Sequence, residues 1–143
     1  MRLPSKRLPA LAMLLCLLAL AGCASMGTQG DLLERNQYAW SGAIRWGDFE
    51  GALNLVDPEY RQEHPITPLE LRRYEQVQIS SYRDVGSHND AAAGTAMRDV
   101  EIGVVNRHTQ TERAVRYRER WRWDEQAQTW WLTTGLPDLW DGE

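Results

Sequence analysis

Cysteine is nearly absent from this chain of 143 residues: Cys16 and Cys23 are its two, and none lies beyond residue 23. Residues 24–143 can therefore form neither a disulfide framework nor a Cys-based metal site. Basic charge is also scarce. Lys6 is the sole lysine, and beyond residue 22 there remain 13 Arg against 20 Asp and Glu, a formal charge of −7. Phosphate backbones need a net basic surface, so nucleic acid is excluded as a partner. No apolar run reaches the length of a membrane span. The longest, Leu8 to Leu20, holds thirteen residues. As a helix it would rise about 20 Å, against a hydrocarbon core of roughly 30 Å. His64, His88 and His108 have no partner at i+4 and no nearby acidic triplet, so no metal is expected. No glycine cluster forms a phosphate loop, and Ser80 and Ser81 lack the Gly-x-Ser-x-Gly elbow of a nucleophile. No cofactor is expected.

What is present begins at the N-terminus. Arg2, Lys6 and Arg7 make a positive head, the Leu8–Leu20 run follows, and Leu20-Ala21-Gly22-Cys23 comes next. Head and short apolar run have the form of a signal peptide. The small residues before Cys23 resemble the lipobox of bacterial lipoproteins. That resemblance implies removal of residues 1–22, acylation of Cys23 with palmitate-type chains, and the bilayer as a partner. Ala24 after the cysteine implies sorting to the outer membrane of a Gram-negative cell, facing the periplasm. Residues 23–30 read as the lipidated cysteine and a short tether, which fully extended reaches about 25 Å from Ala24 to Gly30. Residues 31–143 read as one globular domain, and the seven tryptophans of the chain all fall within it.

Three helices are predicted at the start of this domain. Asp31 is placed to cap the first, with Leu32, Leu33, Ala39, Trp40, Ala43 and Ile44 on one stripe and Gly47 at its end. Asp48 caps a second, whose Phe49, Ala52, Leu53 and Val56 recur at helical spacing until Asp57-Pro58 stops it. Glu59 to Pro65 reads as a polar connection. The third begins with Thr67 as N-cap, Pro68 at N1 and Glu70 closing a capping box, and it ends near Tyr74.

The remainder reads as strands. Val77, Ile79 and Ser81 alternate with Gln78, Ser80 and Tyr82, and a loop G-S-H-N-D-A-A-A-G leads to a second strand over Ala96–Asn106. In Arg113–Asp124 the sequence R-A-V-R-Y-R-E-R-W-R-W-D has period two, with Arg116, Arg118, Arg120 and Arg122 on one face and Val115, Tyr117, Glu119, Trp121 and Trp123 on the other. A turn at His108-Thr109 sets Ile102 against Val115, Val100 against Tyr117 and Ala96 against Trp121. It also opposes Glu101 to Arg116, Asp99 to Arg118 and Arg98 to Glu119. A register two residues longer keeps the faces and moves Arg98 towards Trp121. In the closing hairpin, Trp123 opposes Trp130, Trp121 opposes Leu132 and Glu119 opposes Thr134, with Arg122 stacked on Trp131.

The fold class is thus α+β: two or three N-terminal helices packed on a curved, cone-like four-stranded antiparallel sheet. W-G-D-F-E-G-A-L at the first helix junction, R-Y-R-E-R-W-R-W-D and T-W-W-L together resemble the nuclear transport factor 2-like superfamily, which includes SnoaL-like cyclases. The resemblance implies a cone whose interior is lined by Val100, Tyr117, Glu119, Trp121, Trp130 and Thr134. Members with enzymatic activity use a carboxylate base, for which Glu119 is the candidate, with Tyr117 or Tyr82 as hydrogen-bond donor and Arg98 beside it. Arginine holds such a carboxylate ionised, which favours a structural or ligand-anchoring role. Two functions follow. One is a non-enzymatic envelope lipoprotein that binds a small apolar ligand or a protein partner in the envelope. The other is a cone-fold enzyme or binder that acts on a small hydrophobic periplasmic metabolite through Glu119.

Overall fold

A computed structural model describes residues 29–140. The expected signal peptide, Cys23 and the first part of the expected tether lie outside the described residues. Helix α1 occupies residues 29–46. It already includes Gln29, so Asp31 lies within the helix and is not its cap. Leu33, Trp40 and Ile44 are its buried residues, while Ala39, expected on the same stripe, is exposed. Gly47 ends it at φ +74°, where a side chain would be strained. The Gly47 N–H donates to Ile44 O and the Asp48 N–H to Ala43 O, closing the last turn.

α2 (Phe49–Leu53) starts where Asp48 Oδ1 accepts the Gly51 N–H at 2.8 Å. The expected polar connection then turns out to be helical, as α3 (Pro58–Glu63). Asp57-Pro58, expected to stop the previous helix, instead opens this one: α2 has already ended at Leu53 and Val56 bridges to Leu132, and an Asp at N-cap followed by Pro at N1 is itself a start signal. Asp57 accepts the Glu59 N–H at 2.9 Å. α4 (Pro68–Arg73) has the predicted capping box in full, and a 3₁₀ turn over Tyr74–Gln76 follows it. The described residues thus contain four helices, all before the sheet.

β1 (Val77–Asp90), β2 (Thr95–Asn106), β3 (Glu112–Asp124) and β4 (Thr129–Leu132) form an open antiparallel sheet in the order β1-β2-β3-β4. The predicted β2–β3 register is the observed one, with Val100 opposite Tyr117 and Arg98 opposite Glu119. β1 departs from its prediction twice. Its register shifts between Ile79 and Ser81, and again between Asp84 and Gly86. The first bulge reverses the alternation, so Tyr82, which strict alternation would group with the exposed Gln78 and Ser80, is buried on the inner face, where it was a candidate donor to Glu119. Gly103 makes room for that bulge, since a Cβ there would lie 2.4 Å from Ser80 Oγ. The second bulge carries β1 on through Gly86–Asp90, where a loop was expected.

The core lies between the helices and the inner sheet face, and Trp40, Trp121, Trp130, Ile44, Ile102 and Leu132 are fully buried in it. On the outer face Arg118 pairs with Asp99 as predicted. Glu101 stands opposite Arg116, yet its carboxylate is taken by Arg83 of β1. Arg122 does not settle on Trp131. It ion-pairs with Asp57, which has drawn the α3 cap onto the sheet, and Trp131 Nε1 donates to Asp124 instead.

Candidate functional site

Glu119 is 0% exposed at the centre of β3. Four donors converge on its two carboxylate oxygens. Arg98 of β2 gives Nη2–H to Oε1 at 2.8 Å and Nε–H to Oε2 at 3.1 Å, a forked pair. The Tyr82 hydroxyl of β1 donates to Oε1, and Trp121 Nε1 donates to Oε2 at 2.8 Å. Arg98 Nη2 also reaches the Gln37 carbonyl of α1 at 3.2 Å. One carboxylate thereby joins three strands and, through Arg98, a helix.

Charge and burial set the protonation of its neighbours. Burial, then the Glu119 charge and hydrogen bond, push the Tyr82 hydroxyl far above an ordinary tyrosine, so it stays protonated and donates. Burial lowers the Arg98 pKa, but its bonds to Glu119 and the charge of that group outweigh this and raise it, so the guanidinium stays charged. Tyr117, also pushed up by burial, turns away from Glu119. Its hydroxyl lies 2.9 Å from Thr134 Oγ1 and donates to Gly135 O at 2.6 Å. β4 ends at Leu132, so Thr134 does not pair opposite Glu119.

Of the residues predicted to line a pocket, Glu119 and Trp121 come together directly. Val100 and Trp130 are buried in the surrounding core, and Trp130 Nε1 donates to Gln29 O at 2.9 Å. Trp40 fills the interior between Tyr117 and Trp121, with ring centroids 6.4 Å from each. Its Nε1 is buried there without a protein acceptor among the described residues. Sequence reasoning did not give Trp121 Nε1 or the Gln37 carbonyl a role in the site. The i+2 spacing of Trp121 on the Glu119 face was the available signal for the indole, and nothing local marks a helix carbonyl.

A general base must stand within hydrogen-bond reach of the proton it removes. The acceptor positions of Glu119 are occupied and no solvent reaches it, so this geometry is that of a structural anchor. Open clefts lie elsewhere. Four of them border α4, and Glu119 lines none of these. The two largest have volumes of about 690 Å³, over Phe49, Leu53, Ile66 and Leu71, and about 760 Å³, beside Leu69, Arg72 and Arg107. Among the described residues there is no group of three metal-ligating side chains, and no helix is long and apolar enough to cross a membrane.

No family model matches this chain, and no curated protein does. Among solved structures it is similar to the solution structure of a SEC-C motif containing protein from Rhodopseudomonas palustris. The TM-score is 0.56 at 17% identity, over 77% of this chain and 88% of the other. At that identity the likeness is one of fold.

Proposed function

We propose that this chain is a membrane-anchored envelope lipoprotein whose domain, built on the nuclear transport factor 2-like plan, acts as a non-enzymatic interaction module. The observation that carries the non-enzymatic reading is the sealed carboxylate. Glu119 is fully buried and meets four donors from Arg98, Tyr82 and Trp121. Chemistry on a hydrophobic metabolite would require breaking that set and emptying a core already filled by Trp40, Trp121 and Trp130. N-terminal helices followed by a four-stranded antiparallel sheet support the superfamily plan. The anchor rests on the positive head, the Leu8–Leu20 run and Leu20-Ala21-Gly22-Cys23. Outer-membrane, periplasm-facing placement rests on Ala24. Labelled palmitate fed to an expressing Gram-negative host tests the anchor. Wild type takes the label and Cys23→Ser does not, and an unlabelled wild type ends the lipoprotein reading.

A further inference from the structure

Trp46 is 89% exposed and Tyr38 80% exposed, whereas the other six tryptophans and the other four tyrosines are buried or half-buried. Both outliers lie on α1, the helix that follows the tether. They are eight positions apart, about 12 Å along the axis. At 100° per residue they share one outward arc with Arg35, Ala39 and Gly42, opposite Leu33, Trp40 and Ile44. A Cβ on Gly42 would meet nothing within 4 Å, so the middle of that arc is open. Gln29 lies six positions after Cys23, a reach of at most about 20 Å. We propose that the outward face of α1 is a second membrane contact, seating Tyr38 and Trp46 among the phospholipid headgroups.

This inference rests on the reading that Cys23 is acylated. The tether then holds the start of α1 close to the bilayer, and a helix lying along the surface brings both aromatic rings down to it. Indole and phenol rings have an apolar body and a polar tip, which suits the headgroup layer. The charges exposed on this side of α1, Asp31 and Glu34 against Arg35, leave it slightly acidic, since the guanidinium of Arg45 reaches back to donate to Tyr82 O of β1 at 2.8 Å. The contact is therefore apolar in origin and needs no anionic lipid. That separates it from the outer sheet face, where Arg116 and Arg120 make no ion pair among the described residues and would bind anionic lipid in a salt-sensitive way.

The test uses the full chain processed in a Gram-negative host, checked by mass for acyl chains on Cys23, and reconstituted in phosphatidylethanolamine–phosphatidylglycerol vesicles. Some vesicles carry lipid brominated high on the acyl chain. The emission of Trp46 is obtained as the difference between wild type and Trp46→Phe. Brominated lipid is expected to remove roughly half or more of that difference emission, as for an indole at headgroup level, with no loss of quenching in about 0.5 M NaCl. An acylated protein whose Trp46 emission is unquenched overturns the contact and leaves the anchor standing. A protein without acyl chains overturns both. Quenching abolished by salt, or by Arg116→Gln with Arg120→Gln, assigns the lipid contact to the sheet face and overturns the proposal. So does Trp46 emission on the vesicles that neither brominated lipid nor acrylamide quenches, which would place it against a second copy or a protein partner.

Discussion

At the scale of single residues, Glu119 and Asp57 hold the molecule together by different means. Arg98 is charged and only 12% exposed at its side chain, so the Glu119 carboxylate compensates a guanidinium that water hardly reaches. Removing one partner of such a pair typically costs about 3–5 kcal/mol, a large share of the 5–15 kcal/mol that a domain has in total. Glu119→Gln keeps the shape and removes the charge, and its urea midpoint should fall accordingly with an unchanged denaturant slope. A variant as stable as wild type would remove Glu119 from the framework. Asp57 works through pH. Burial by itself raises its pKa, but Arg122 and the Glu59 N–H outweigh this and hold it below its ordinary 3.8. A folded-state pKa below the unfolded one stabilises fully above the unfolded value, and that contribution is lost as pH falls through the folded value. Asp57→Asn should therefore be less stable than wild type at neutral pH and should lose less below about pH 4. Melting temperatures measured against pH check this, and a wild-type acid limb no steeper than that of the variant would contradict it.

At the scale of elements, α4 contrasts with α1. α1 inserts Leu33, Trp40 and Ile44 into the core, whereas α4 buries no residue and leaves Leu69 71% exposed. Its order depends on local bonds. Thr67 N–H donates to Glu70 Oε2 at 2.7 Å, and Glu70 N–H donates to Thr67 Oγ1 at 3.2 Å. A lost cap is worth about 1 kcal/mol, and in a helix that touches the core only through half-buried Leu71 that loss stays local. Thr67→Ala should speed amide exchange within α4 while barely shifting the global melting temperature. A global shift of many degrees would mean that α4 is coupled to the core more tightly than its burial indicates. β1 is the element where one extra residue matters most. Its bulge at Ser80 turns Tyr82 inward, and Tyr82 is the third strand's contribution to the Glu119 anchor.

At the scale of the whole molecule, charge and attachment can be argued together. Residues 23–143 are acidic overall, yet the outer sheet face presents the arginines of β3. Arg118 and Arg122 are answered by Asp99 and Asp57, while Arg116 and Arg120 are not paired among the described residues. Each buried acyl CH₂ contributes about 0.8 kcal/mol, so the acylation proposed for Cys23 would, with two or more chains, make attachment effectively permanent. The acylated protein should stay with the envelope fraction through high-salt and carbonate washes, which remove proteins held by charge alone. Release of wild type by those washes would contradict a covalent lipid anchor.

Much of this was legible in the chain itself. Period-two alternation in Arg113–Asp124 gave the faces of β3, and matching it to Val100, Ile102 and Asp99 gave the β2–β3 register, because a slip of one residue would expose every apolar side chain. Asp48, Gly47 and the Thr67–Glu70 box gave helix ends, since caps are local chemistry. Tertiary structure decided what depends on distant partners. The bulge that brings Tyr82 to Glu119 leaves no pattern in β1, because one inserted residue changes parity without changing composition. Arg122 chose Asp57 over Trp131, and Glu101 chose Arg83 over Arg116, because each side chain could reach several partners and only the packed helices and neighbouring strands ranked them. The closing of the inner face was settled in the same way: alternation placed Glu119 among tryptophans, but whether they left space around it depended on Trp40, carried in from α1.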